Sequence, residues 1–179
     1  MPNHVVRVSI RRAELRDAAA IAQVHVDSWQ AGYLGLIPAS VLNRLTVSGQ
    51  AASWHKLLRG QGTPGARTWL VAVGESIVGF SSVGPTRDDE EEGRGLIGEV
   101  YTIYLSPPAW GRGLGGELLD AVQADLARRG YRTATIWVLE GNTRARRFYE
   151  LAGFERDGAR REVRLDSVTL PEVRYRRWL

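Results

Sequence analysis

Between Ile97 and Val138 the chain reads β-rich, then glycine-rich, then leucine-rich at helical spacing, then β-rich again. No other feature restricts the fold as strongly. A strand followed by a helix and a second strand can return parallel to the first only through a crossover, and such crossovers are right-handed in nearly every sheet. The first strand is the β-branched and aromatic run IGEVYTIYLS. The helix carries Leu118, Leu119, Val122 and Leu126 at helical spacing, runs to Arg129 and stops at Gly130. YRTATIWVLEGN then supplies the second strand, with Ala134, Ile136 and Val138 on one face.

The flanking segments complete the order. VVRVSIRRA alternates at Val6, Val8 and Ile10, the period of a half-buried strand. Asp17 can cap a helix whose Ile21, Val24 and Ser28 lie along one side. A second helical region follows Pro38 with Val41, Leu42 and Leu45, and a third around QAASWHKLLRG ends at Gly60. TWLVAVG and SIVGFSSVG, divided by Gly74 and Glu75, predict a hairpin. TRARRFYELAGF predicts a short helix ended by Gly153, with Phe154 placed for the apolar contact of a Schellman cap, and REVRLD and VRYRRWL supply two last strands. Strands and helices in this order give an α+β protein, a three-layer α/β/α sandwich, as one domain over residues 1–179.

Length and composition restrict function. A chain of 179 residues with 44% hydrophobic and 25% charged content folds around one full core. With no cysteine, disulfides, thiolate metal sites and a cysteine nucleophile are excluded, and no metal is expected. The start, MPNHVVRVSIRRAEL, lacks the apolar stretch of a secretion signal, and no run is long and apolar enough to span a bilayer, so a cytoplasmic protein without a membrane partner is expected. The net charge of +4 comes from arginine, since Lys56 is the one lysine. The arginines are scattered, the acidic run from Asp88 to Glu92 interrupts them, and no nucleic-acid motif appears, so nucleic acid is not an expected partner. The acidic run itself reads as a solvated loop, the alternative being a charge that draws in a cationic amine.

The glycine segment Gly111-Arg112-Gly113-Leu114-Gly115-Gly116 sits between a strand and a helix. Glycines there permit positive φ and let main-chain N–H groups approach a ligand, and the helix dipole adds positive potential. Together these make a site for phosphate. Gly115 is followed by Gly116 and Glu117 rather than Lys and Ser or Thr, so it is not a nucleotide-triphosphate loop, and the context of a dinucleotide fingerprint is absent too. Taken with YLSP before it, and TATIWV, Asn142, Tyr149 and Gly153-Phe154 after it, the segment resembles the GNAT superfamily of acetyl-CoA-dependent N-acetyltransferases, in its bacterial type. The two central motifs cover about Ile97 to Phe154, and the order of elements extends the likeness over nearly the whole chain. Trp110 departs from the pattern, standing where Gln or Arg is usual.

The resemblance implies a mixed, mostly antiparallel sheet of six or seven strands, with a central βαβ crossover and two parallel strands splayed around acetyl-CoA. It implies that the pantetheine arm pairs with Ile103, Tyr104 and Leu105, and that the loop of Trp110, Gly111, Arg112, Gly113, Leu114, Gly115 and Gly116 holds the pyrophosphate, with Asn142 touching the cofactor while capping the last helix. Glu99 matches the family's strand-borne base, the alternative being a carboxylate that only attracts a cation; Tyr149 matches the general acid for the leaving thiolate, or packs. Trp29 and Tyr33, four apart on the first helix, wall the acceptor pocket or pack helix to sheet. The function so implied is acetyl transfer from acetyl-CoA to a primary amine of a small molecule or peptide by direct attack in a ternary complex. A non-catalytic acyl-CoA-binding or sensory domain is the alternative, and homodimers are frequent in the family.

Overall fold

In a computed structural model, which describes residues 7–89 and 96–179, the expected crossover is present. Strands β4 (Ile97–Leu105) and β5 (Thr133–Leu139) lie parallel, joined through α4 (Leu114–Arg128). They sit inside a seven-stranded sheet of order β1-β2-β3-β4-β5-β7-β6, whose other neighbouring pairs are antiparallel. The outer strands are β1 (Val8–Arg12), β2 (Arg67–Val73), β3 (Ser76–Pro85), β6 (Glu155–Leu165) and β7 (Val168–Trp178). The remaining helices are α1 (Ala18–Gly32), α2 (Ala39–Leu42), α3 (Val47–Leu58) and α5 (Thr143–Leu151).

The sheet is covered on both faces because its central strands are apolar on both. Leu118, Leu119, Val122 and Leu126 of α4 are completely buried and pack with Val71, Val83, Val100, Ile136 and Val173. At about 1.5–3 kcal/mol per buried side chain, these four leucine and valine positions alone fix α4 to the sheet. The contact is close at Gly98, where an added Cβ would stand 2.8 Å from Leu126 Cδ2. On the other face Ile21, Ala22 and Val24 of α1 and Trp54 of α3 bury Leu70 and Phe80.

Two local features differ from the sequence expectation. Asp17 stands at the N-terminus of α1, but its side chain makes no cap bond; it accepts from both terminal nitrogens of Arg11, at 2.7 and 2.9 Å, and from the Glu14 N–H. A two-pronged charge-assisted pair outcompetes a single cap bond. The last two strands are also longer than the runs REVRLD and VRYRRWL, because β6 is an exposed edge strand whose register comes from β7 and not from an apolar alternation.

The sheet opens at its centre. Parallel pairing runs only from Ile97↔Thr133 to Val100↔Ile136, and beyond that β4 and β5 diverge. At the same level Ser82 opposes Thr102 while Val83 opposes Val100, so Tyr101 is an extra residue with no partner on β3. A bulge of this kind bends its strand and raises the local twist, which carries β4 away from β5.

Candidate active site

The divergence leaves a cleft of about 400 Å³. Its walls are the far halves of β4 and β5, its floor at one end is the glycine segment at the head of α4, and α5 and the end of α1 close its sides. Of the residues singled out from sequence, Tyr33, Ile103, Tyr104, Leu105, Trp110, Gly111, Gly113, Gly115, Gly116, Asn142 and Tyr149 stand on its walls. Arg112 and Leu114 do not: Arg112 faces solvent and Leu114 is in the core.

At the glycine end the binding groups are main-chain. Gly111 and Gly113 have φ of +70° and +81°, the left-handed region that glycine occupies without penalty. Among the described residues, the N–H groups of residues 111–115 donate to no protein acceptor, while the N–H of Gly116 closes the first turn of α4 on the Gly113 carbonyl at 3.0 Å. Open donors at the positive end of a long helix fit an anionic group such as a diphosphate. Trp110 braces the loop: its Nε1–H donates to the Leu105 carbonyl at 2.8 Å, and Arg144 stacks over its ring at 3.5 Å. Burial pulls Arg144 below its ordinary value, a cost that an anion nearby would offset. Arg144 was not legible from sequence, since nothing local ties it to Trp110.

The middle of the cleft carries Tyr149. Two main-chain bonds hold its helix end: Gly153 N–H to Glu150 O and Phe154 N–H to Tyr149 O, both 3.0 Å, with Gly153 at φ +80°. This is the Schellman pairing, and the Phe154 ring lies 6.2 Å from Tyr149 as its apolar partner. Asn142 fixes the other end of α5, its Oδ1 accepting from Ala145 N–H at 3.0 Å. Tyr149 is 6% exposed, and burial raises its phenol well above the ordinary value. It therefore stays protonated at neutral pH, and its O–H has no hydrogen-bond partner among the described residues.

Tyr33 lines the cleft, its hydroxyl 3.3 Å from that of Tyr104, while Trp29 stands behind it, edge-on at 4.9 Å. His25 backs the same group, stacked 5.5 Å from Tyr104 and accepting from Trp54 Nε1 at 3.1 Å. Burial pushes His25 down to about 4, so it is neutral at pH 7.

Glu99 is placed differently from the expectation of an accessible base. It is 0% exposed, and both carboxylate oxygens are taken by Arg87: the main-chain N–H and Nε reach Oε2 at 2.8 and 3.3 Å, and Nη2 reaches Oε1 at 2.5 Å. Arg87, not Glu99, lines the cleft. Among the described residues the one acidic residue on the wall is Glu172 of β7, which sequence reasoning passed over because it lies far from every motif. Of the acidic run, Asp88 is bound to Trp137 Nε1 and Arg174, so it is not solvated as expected, and Glu90, Glu91 and Glu92 fall outside the described residues.

Splayed parallel strands over a loop of open amides make a cleft that fits an extended ligand with an anionic group. The model of the Acetyltransferase (GNAT) family matches residues 40–154. An uncharacterized N-acetyltransferase of Bacillus subtilis, YuaI, is 36% identical over 138 residues, 75% of this chain and 73% of that one. A mycothiol acetyltransferase of Geodermatophilus obscurus is 40% identical over 90 residues, 49% of this chain but only 28% of that protein. Among solved structures, the PaiA N-acetyltransferase of Thermoplasma acidophilum, in complex with coenzyme A, superposes with a TM-score of 0.75 at 18% identity, over 97% of this chain and 99% of that one. The chain belongs to the GNAT family of acetyltransferases.

Proposed function

We propose that this chain transfers the acetyl group of acetyl-CoA to a primary amine of a small molecule or peptide, by direct attack in a ternary complex. The observation that carries this is the row of open amides at residues 111–115, set at the mouth of the gap between β4 and β5. Relatives named N-acetyltransferases and a fold neighbour holding coenzyme A support the same donor. In the bound state acetyl-CoA supplies the thioester. The loop amides, with Trp110 and Arg144 beside them, take the diphosphate, and the β4 edge at Ile103, Tyr104 and Leu105 takes the pantetheine. Asn142 positions α5, and Tyr149 gives its proton to the departing thiolate.

An alkyl amine has a pKa of about 10.4 and must lose a proton before it attacks. Glu99 is enclosed by Arg87, so we assign the role of drawing the ammonium and taking its proton to Glu172, whose Oε2 accepts from Arg161 at 2.7 Å and whose Oε1 has no partner among the described residues. Tyr33, backed by Trp29, forms the acceptor wall. The same reading puts the enzyme in the cytoplasm, which a cysteine-free chain suits, and pairs it as a homodimer, which sedimentation would register as twice the chain mass.

The test is thiol release from acetyl-CoA across a panel of amines. Amine-dependent release is the expected result. Tight acetyl-CoA binding with no release for any amine would favour the sensory alternative, and an absence of both would remove the reading.

A further inference from the structure

The cleft wall farthest from the glycine loop carries two guanidinium groups, each fixed in place by other side chains. Tyr101 and Leu105 are about 13 Å apart along β4 at a strand's rise of about 3.3 Å per residue, so this wall is well separated from the diphosphate loop. Arg87 is anchored to Glu99 through Nε and Nη2, and its Cζ stands 4.2 Å from the centre of the Tyr101 ring. Arg161 of β6 is anchored through Nε to Glu172 at 2.7 Å, and its Cζ stands 4.2 Å from the centre of Trp137. Among the described residues, Nη1 of Arg87 and Nη2 of Arg161 make no hydrogen bond.

The order of charges in the first pair is informative. The carboxylate is behind, with its side chain 0% exposed on a central strand, and the cation is in front at 43%. Burying a carboxylate costs several kcal/mol unless its partner compensates. If the carboxylate were there to meet substrate, it would be the exposed member. Here it holds a stacked guanidinium at a set angle, and that guanidinium lines the cleft with its Nη1 unpaired among the described residues. A fixed guanidinium fork is the group that matches a carboxylate.

We infer that the acceptor amine also carries a carboxylate, with Arg87 as its receptor, Arg161 as a second contact, and Glu172 beside them for the ammonium. Glu99 is then a positioning residue acting through Arg87. This inference rests on the acetyl-transfer reading and names the acceptor class for it.

The experiment compares matched acceptors that differ by a carboxylate, phenylalanine with phenethylamine and leucine with isopentylamine, by thiol release from acetyl-CoA. The carboxylated member is expected to have at least a tenfold higher kcat/KM. Arg87→Gln should shrink that ratio about tenfold, through KM of the carboxylated member, and Arg87→Lys should restore part of it. Equal or better use of the plain amines overturns the inference, as does an Arg87→Gln loss shared equally by both members, which would mark a merely structural role. Absence of release with all four acceptors overturns it too. Calorimetry of acetyl-CoA on the same preparations then tells whether the acetyl-transfer reading has failed with it: retained binding leaves that reading standing, and no binding removes both.

Discussion

The two ends of the cleft present ligands with different kinds of group. At the α4 end the donors are main-chain N–H groups, opened by glycines at positive φ. At the far end the groups are side chains, the donors Arg87 and Arg161 and the acceptor Glu172, brought together from the segment after β3, from β6 and from β7. A main-chain site depends on backbone conformation and so serves one constant partner well. A side-chain site can change its chemistry one residue at a time. In the proposed reading the main-chain end takes acetyl-CoA and the side-chain end takes the acceptor.

That contrast can be broken first at its centre, where the proposed reading brings both substrates together. Tyr149→Phe should lower kcat by about a hundredfold or more, the ordinary scale of a lost general acid, with little change in acetyl-CoA affinity. An unchanged kcat in steady-state assays would leave Tyr149 a packing residue. At the donor end, Gly113→Val places a β-branched residue at φ +81°, where strain of about 1–3 kcal/mol accompanies such residues. An added Cβ there meets no heavy atom within 4 Å beyond its chain neighbours and the helix's own backbone, so the expected effect comes from the backbone and the ligand. Acetyl-CoA affinity by calorimetry should fall about tenfold to a hundredfold, and equal affinity in the two proteins would show that the loop is not the diphosphate site.

At the acceptor end, Glu99→Gln should release Arg87 and reduce the preference for carboxylated amines about tenfold, with the pH profile of kcat/KM kept in shape. A profile that loses its acidic limb would instead make Glu99 the base. The smallest effect is expected for Asn142→Ala, which removes the N-cap of α5 and should cost about 1 kcal/mol of unfolding free energy in a denaturant titration. A cost near zero there would mean that the Schellman end alone holds α5.

The same contrast explains what the sequence reveals. The crossover, the glycine loop, the Schellman glycines and the apolar stripe of α4 are local patterns with local causes, and each is found where the spacing puts it. The places of Asn142 at the N-cap of α5 and of Tyr149 within that helix follow from the short helical run before Gly153. Glu99 was legible as a strand residue near the divergence, but its partner Arg87 comes from the far side of the β3–β4 connection, and only the folded chain shows the carboxylate enclosed. Arg161 and Glu172 sit opposite one another on two edge-side strands whose arginine-rich sequence has no apolar period to mark a site. Asp17 shows the same limit on a smaller scale, since a good cap residue was claimed by Arg11 across the start of the sheet.

The central claim is that the open amides at the head of α4 hold the diphosphate of acetyl-CoA, with its pantetheine between β4 and β5. A crystal structure of the protein with coenzyme A tests it most directly. Diphosphate oxygens within hydrogen-bond distance of the N–H groups of residues 111–115 is the predicted result. Coenzyme A seated elsewhere, with those amides turned to water, would contradict it.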